Sequence, residues 1–153
     1  MDLILWRHAE AEDADGTTAD LERCLTRRGE KQAKRVARWL ATQLPHRCRV
    51  LVSPALRTRQ TADALGTAYE IEPRVAPAAT ARDILQAAGW PKGKQAVLVV
   101  GHQPCLGETA SLLLAGSDSG LSVRKGAIWW FGQRGAGERV EPILRAVIDP
   151  DLI

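Results

Sequence analysis

No apolar run in these 153 residues approaches the roughly 20 needed to cross a bilayer as a helix. The N-terminus opens directly on a strand-like segment, with no basic stretch ahead of a hydrophobic core. No secretory signal is therefore expected, and the expected location is cytoplasmic. Cysteine is scarce: Cys24, Cys48 and Cys105 are widely separated and odd in number. That excludes a disulfide framework and a zinc knuckle, and leaves buried structural thiol as the plain reading. Of the three histidines, His8, His46 and His102, none has a ligand partner at a recognised short spacing, and Arg7 would set a positive charge beside any cation. A zinc site built from two histidines with Glu10 or Asp13 is accordingly not expected. The segment Gly101–Gly107 lacks the lysine and spacing of a nucleotide P-loop. Aromatic residues do not alternate with the basic ones between Arg23 and Arg59 as they do on a base-stacking surface, so nucleic acid is not an expected partner. Internal repeats, low-complexity tracts and domain boundaries are missing too.

What is present is an ordinary globular composition, 45% apolar and 25% charged with a net charge of +3. The length fits one domain spanning residues 1–153. Leu3-Ile4-Leu5-Trp6 and Ala96-Val97-Leu98-Val99-Val100 are short continuous apolar runs, the pattern of strands buried on both faces in a parallel sheet. Val50-Leu51-Val52 is a third, and Glu70 to Val75 a short fourth. Helical patterns lie between them. Thr26 is placed to cap a helix whose Ala33, Val36, Ala37, Leu40 and Leu44 face the core, ended by Pro45. Arg27, Lys31, Lys34 or Arg35, and Arg38 form a basic stripe on its outer face. That stripe is a solvated helix face in its plain reading and a docking surface for an acidic partner in its sharper one. Further helices are expected over Ala55–Leu65 behind Ser53-Pro54, over Ala79–Ala88 up to Gly89, and over Cys105–Leu114 behind Pro104. Ala127–Phe131 and Arg139–Ile148 read as a closing hairpin, whose alternation puts Trp129 and Trp130 on opposite faces. The fold class that follows is α/β: a three-layer α/β/α sandwich with a mostly parallel central sheet.

Two of the apolar runs stop at a histidine, Arg7-His8 and Gly101-His102. Open α/β sheets bind ligands beyond the carboxyl ends of their strands, so both histidines fall where chemistry is expected. An arginine beside the first points to an anionic substrate, most simply a phosphoryl group. A neutral imidazole is a good nucleophile toward phosphorus, and a covalent product splits one hard step into two. Guanidinium forks suit the equatorial oxygens, and a second imidazole and backbone N–H groups at a helix start can add donors. Arg7, His8, Arg57, His102 and the helix start after Pro104 supply these. Each alone has a duller reading, as a rim histidine or a surface ion pair; their convergence is the argument. His46, in Pro45-His46-Arg47, reads as a surface residue.

Four segments, Leu5-Trp6-Arg7-His8-Ala9-Glu10-Ala11, Leu25-Thr26-Arg27-Arg28-Gly29-Glu30-Lys31-Gln32-Ala33, Ser53-Pro54-Ala55-Leu56-Arg57-Thr58-Arg59-Gln60-Thr61-Ala62 and Val99-Val100-Gly101-His102-Gln103-Pro104, together resemble the histidine phosphatase superfamily, which includes the phosphoglycerate mutases. Length and the Arg-His-Ala form resemble its small phosphohistidine phosphatase branch. The resemblance implies a phosphoglycerate mutase-like sandwich and a phosphorylated nucleophile at His8. It also implies phosphate binding by Arg7, Arg57 and His102, with no metal and no organic cofactor. Larger members carry Gly where this chain has Ala9. They also supply a carboxylate to protonate the leaving oxygen, from a segment that here reads Pro77-Ala78-Ala79-Thr80-Ala81-Arg82-Asp83. Asp83, Glu10 and Asp13 are the candidates, each with surface solvation as its plain reading. The expectation is a metal-independent phosphatase acting on phosphohistidine of a carrier or signalling protein. A small-molecule phosphomonoesterase and a non-catalytic phosphoprotein-binding module are the alternatives. No membrane partner is expected, and the oligomeric state is left open.

Overall fold

The computed structural model describes residues 1–135 and 140–153. Six strands form one sheet: β1 (Leu3–Arg7), β2 (Cys48–Val52), β3 (Glu70–Ile71), β4 (Ala96–Gly101), β5 (Ile128–Arg134) and β6 (Glu141–Ile148). Their order across the sheet is β3-β2-β4-β1-β5-β6. The first four are mutually parallel, and β5 and β6 join antiparallel at one side. The helices are α1 (Arg27–Gln43), α2 (Leu56–Asp63), α3 (Ala81–Ala88) and α4 (Cys105–Ala115).

The three layers follow from the two-residue alternation of the strands. Leu3 and Leu5 of β1, with Val97 and Val99 of β4, pack against Ile84 of α3 and Leu106 and Ala110 of α4. Ile4 and Trp6, with Leu98 and Val100, pack on the other side against Val36 and Leu40 of α1 and Ala62 of α2. Both faces of β1 and β4 are thereby covered, which is why those runs are apolar throughout. No helix among the described residues is long and apolar enough to cross a membrane.

The Thr26 hydroxyl oxygen accepts the Gly29 N–H at 3.0 Å and caps α1 as expected. The basic stripe on its outer face, including Arg27, Lys31, Lys34 and Arg38, is exposed. Three expectations are corrected. The strand sought over Glu70–Val75 has only two residues, because Pro73 has no N–H to give a ladder and opens a 3-10 turn at Pro73–Val75. The helix expected over Ala55–Leu65 is confined to Leu56–Asp63, with no side chain capping its start. The helix expected from Ala79 starts at Ala81, since the Thr80 and Asp83 side chains close a reciprocal capping box there. The hairpin forms with Trp130 buried on the α1 side, edge-on to Trp39 with ring centroids 6.2 Å apart. Trp129 packs on the opposite face. Arg139 and the turn residues Ala136 and Gly137 lie outside the described residues.

Candidate active site

Strands β1 and β4 lie side by side with Arg7 in register with Gly101. The residues that follow, His8 and His102, therefore emerge together at the carboxyl edge of the sheet. The His8 N–H donates to the Gly101 carbonyl at 3.0 Å, and the two imidazole centroids stand 5.3 Å apart. Arg57, in the first turn of α2, reaches the same point and is only 3% exposed. Arg7 joins them, with one guanidinium nitrogen donating to the Val123 carbonyl at 2.7 Å. The four residues singled out from the sequence thus line one cleft of about 370 Å³, together with Asp20, Arg23, Gln103 and Lys125. A larger groove, of about 620 Å³, opens at the opposite edge of the sheet around Met1, Arg47 and Lys94, and no histidine or cysteine lines it.

The state of His8 is set by its neighbours. Its Nδ1 lies 2.7 Å from the Ala9 carbonyl oxygen. A carbonyl can only accept, so Nδ1 carries the proton and Nε2 keeps its lone pair. Burial, followed by the charges of Arg57, Arg7 and Lys125, pushes the ring down to about 4 against the pull of the Ala9 bond. The His8 ring is therefore uncharged at neutral pH, with the Nε2 lone pair free. His102 is held lower still, at about 3, by burial, then by His8 and Arg57. Its Nδ1 faces Arg57 Nη2 at 3.4 Å, and its Nε2 lies 2.7 Å from Ser53 Oγ. The buried Nε–H groups of Arg7 and Arg57 have no protein acceptor among the described residues. The cleft, lined by the uncharged His8 ring and by the guanidinium groups of Arg7 and Arg57, has the donors to receive a tetrahedral anion.

Asp20 also faces the cleft, from a polar loop in which nothing in the sequence marks it as a site residue. It forms part of the 3-10 turn Asp20–Glu22. Its backbone carbonyl accepts from Arg57 Nη1 at 2.6 Å, its Oδ2 from Arg57 Nη2 at 3.0 Å, and its Oδ1 from Arg23 Nη2 at 2.8 Å. Those bonds, the Arg23 bond foremost, hold its carboxyl below the ordinary range. Lys125, Arg23 and Ser53 were missed as well. Of these only Ser53 carries a sequence signal, its Ser-Pro dipeptide and the motif that runs on to Arg57, and that signal marks a helix start rather than a partner for His102. The carboxylates considered for acid catalysis lie elsewhere. Glu10 accepts from the Thr26 hydroxyl at 2.8 Å, Asp83 belongs to the α3 capping box, and Asp13 lines a separate surface cleft with Asp15 and Glu22. His46 is exposed, as expected. Of the three thiols expected to be buried only Cys105 is, with its thiol donating to the His102 carbonyl and burial raising its pKa; Cys48 is half-buried, and Cys24 is exposed in the polar loop after β1. No group of three or more His, Cys, Asp or Glu among the described residues is placed to hold a metal ion.

The chain is similar to known proteins along most of its length. Residues 3–90 match the profile of the histidine phosphatase superfamily (branch 1). The chain is 32% identical over 125 residues to the phosphohistidine phosphatase SixA of Escherichia coli, covering 76% of each. A structure of the protein histidine phosphatase SixA with tungstate superposes with a TM-score of 0.82 at 27% identity, covering 99% of both chains. A phosphoserine phosphatase from Entamoeba histolytica, bound to phosphoserine, shares the fold at a TM-score of 0.71, with 16% identity and 97% of each chain covered.

Proposed function

The chain belongs to the histidine phosphatase superfamily, and from that premise we propose that this phosphatase removes phosphate from phosphohistidine on a protein, by way of a phosphorylated His8. In the first half-reaction the Nε2 lone pair of His8 forms a bond to phosphorus. The bond from phosphorus to the substrate's ring nitrogen breaks, and its electron pair stays on that nitrogen. The substrate ring, protonated from solvent on its other nitrogen, leaves as neutral imidazole. In the second, water attacks the same phosphorus, phosphate departs with the water oxygen, and His8 recovers its lone pair while Nδ1–H stays on the Ala9 carbonyl. Arg7 and Arg57 act by holding the equatorial oxygens, and His102 adds a donor once protonated.

The observation that carries the choice of substrate is the state of Asp20. It is the only carboxylate lining the cleft among the described residues, and two guanidinium groups hold it ionised. An alkoxide leaving group needs a proton, and general acid catalysis contributes about a hundredfold to ten-thousandfold. An ionised carboxylate cannot give that proton, whereas a phosphohistidine ring takes the proton it needs from solvent on its far nitrogen and requires no acid from the protein. The cationic rim formed by Arg23 and Lys125 favours a phosphorylated carrier or signalling protein with acidic residues near its histidine.

The test is phosphate release in the presence of EDTA from a phosphohistidine peptide, a phosphoserine peptide and a sugar phosphate, by wild type and by His8→Ala. Release from phosphohistidine that far outpaces the two esters and vanishes in the variant is the expected result. Faster turnover of either ester would move the assignment to phosphomonoesters.

A further inference from the structure

We infer that Ser53 is a positioning residue for this chemistry: its oxygen accepts the Nε2–H of His102, so that Nδ1 is the ring atom that takes up a proton toward the phosphoryl group. The inference rests on the reading of the cleft as a phosphoryl site and adds the residue that governs its second histidine.

Ser53 directly follows β2, and its N–H donates to the Val100 carbonyl at 3.1 Å, which sets it beside the end of β4. Its own carbonyl accepts from the Thr58 hydroxyl at 2.9 Å, and its Oγ accepts weakly from the Ala55 N–H at 3.4 Å. Ser53 is fully buried and His102 is 2% exposed, so no water competes for the 2.7 Å contact between Oγ and Nε2. The direction of that hydrogen bond follows from the opposite side of the ring. Arg57 Nη2 stands 3.4 Å from Nδ1, and a guanidinium only donates. Nδ1 must therefore offer its lone pair, the proton resides on Nε2, and Ser53 Oγ is its acceptor.

Charged groups reach His102 from each neighbouring element. They are His8 and Arg7 from the end of β1, Arg57 from α2, and Asp20 from the 3-10 turn. The Cys105 thiol of α4 touches only its backbone carbonyl. Of these side chains Asp20 alone favours the protonated ring. A doubly negative phosphoryl group reverses that balance and brings a proton onto Nδ1. The imidazolium then has two N–H donors in a buried site and needs two acceptors: a phosphoryl oxygen for Nδ1–H and Ser53 Oγ for Nε2–H. Without the hydroxyl, one donor of a buried cation is left unpaired, which disfavours the charged form.

The measurement is the ¹⁵N spectrum of the His102 ring across pH, without and with saturating tungstate, in wild type, Ser53→Ala and Ser53→Thr. Wild type without tungstate should show Nε2 protonated and Nδ1 bare; with tungstate both should be protonated. The midpoint of Nδ1 titration in the tungstate complex should fall by about one pH unit in Ser53→Ala, a tenfold weakening of proton binding, and return in Ser53→Thr. The alkaline limb of kcat for p-nitrophenyl phosphate should move with it. A proton on Nδ1 in the tungstate-free wild type overturns the inference whatever the variants do, as does an unmoved midpoint in folded Ser53→Ala. Tungstate that leaves His102 unperturbed would remove the phosphoryl-site reading along with it. Failure to hydrolyse phosphohistidine, with the midpoint shift intact, would remove only the choice of substrate.

Discussion

Gly29→Ala should damage both stability and catalysis, although Gly29 touches no reacting atom. It sits in the first turn of α1, and a Cβ built there would lie 1.9 Å from the Glu10 carbonyl oxygen and 2.8 Å from its carbon. Restoring an ordinary contact requires a displacement of more than about 1 Å. The loop cannot yield cheaply. The Glu10 carbonyl accepts the Thr26 N–H at 3.0 Å, the Glu10 N–H donates to Gln32 Oε1 at 3.0 Å, and the Ala9 N–H donates to the Thr61 hydroxyl at 3.1 Å. Overpacking of this kind costs about 1–3 kcal/mol, or about 2–12 °C in Tm for a chain of this size. Glu10 is two residues from His8, whose ring is steered by the Ala9 carbonyl. A misplacement of about 1 Å near a nucleophile can cost about a hundredfold in rate. Thermal unfolding by circular dichroism and kcat from phosphate release measure the two effects. Gly66→Ala is the control, because φ there is +67° and no atom approaches the added carbon. It should lose about 1 kcal/mol of stability and leave kcat intact. A Gly29→Ala protein with wild-type Tm and kcat would refute the close approach, and equal kcat losses in the two variants would refute the link to His8.

Arg57→Lys should lower kcat by about a hundredfold to a thousandfold, since one ammonium cannot reproduce the fork that serves two Asp20 oxygens and His102; a loss under about fivefold would speak against Arg57 as a phosphoryl ligand. Stability should fall on acidification in a window set by the two histidines. Unfolded rings titrate near 6.5, whereas His8 is held at about 4 and His102 at about 3 in the fold. Between those values the unfolded chain binds protons that the folded one does not. This contribution is therefore complete above about pH 6.5 and is lost progressively below it down to about 3, with the loss beginning before the carboxylates titrate. Tm should decline from pH 7 to pH 4.5 in wild type and less steeply in His102→Asn, and parallel declines would show that His102 is not held uncharged.

How much of this was legible depends on whether a residue's role is set along the chain or across it. The helices α1 and α4 and the strands β1 and β4 each carry their own signal, a capping threonine, helical spacing, or an apolar run. The neighbouring placement of β1 and β4 then obliges His8 and His102 to meet. Arg57 is set by the short turn after β2. Asp20 is different: nothing around Ala19-Asp20-Leu21 distinguishes it from Asp13 or Asp15, and only the fold lays its turn against Arg57. Ser53 was visible as a residue but not as a partner, because its contact with His102 exists only once β2 and β4 pair. Strand β3 is shorter than its sequence suggests because Pro73, which has no N–H, breaks the ladder after Ile71.

The missing acid and the nucleophile fit one chemical argument. On the proposed reading, the intermediate at His8 is itself a phosphohistidine, so both half-reactions break the same kind of phosphorus–nitrogen bond. In each the leaving group is an imidazole that departs uncharged if its far nitrogen bears a proton. For His8 that proton is fixed on Nδ1 by the Ala9 carbonyl at 2.7 Å; for the substrate ring, solvent supplies it. One set of oxygen-binding donors therefore serves both steps, and no group has to switch between acid and base. An ester substrate would break this symmetry, since its alkoxide needs a proton in the first step only. A cleft whose one carboxylate among the described residues is bound to Arg57 and Arg23 is suited to the symmetric pair of reactions and poorly suited to the asymmetric one.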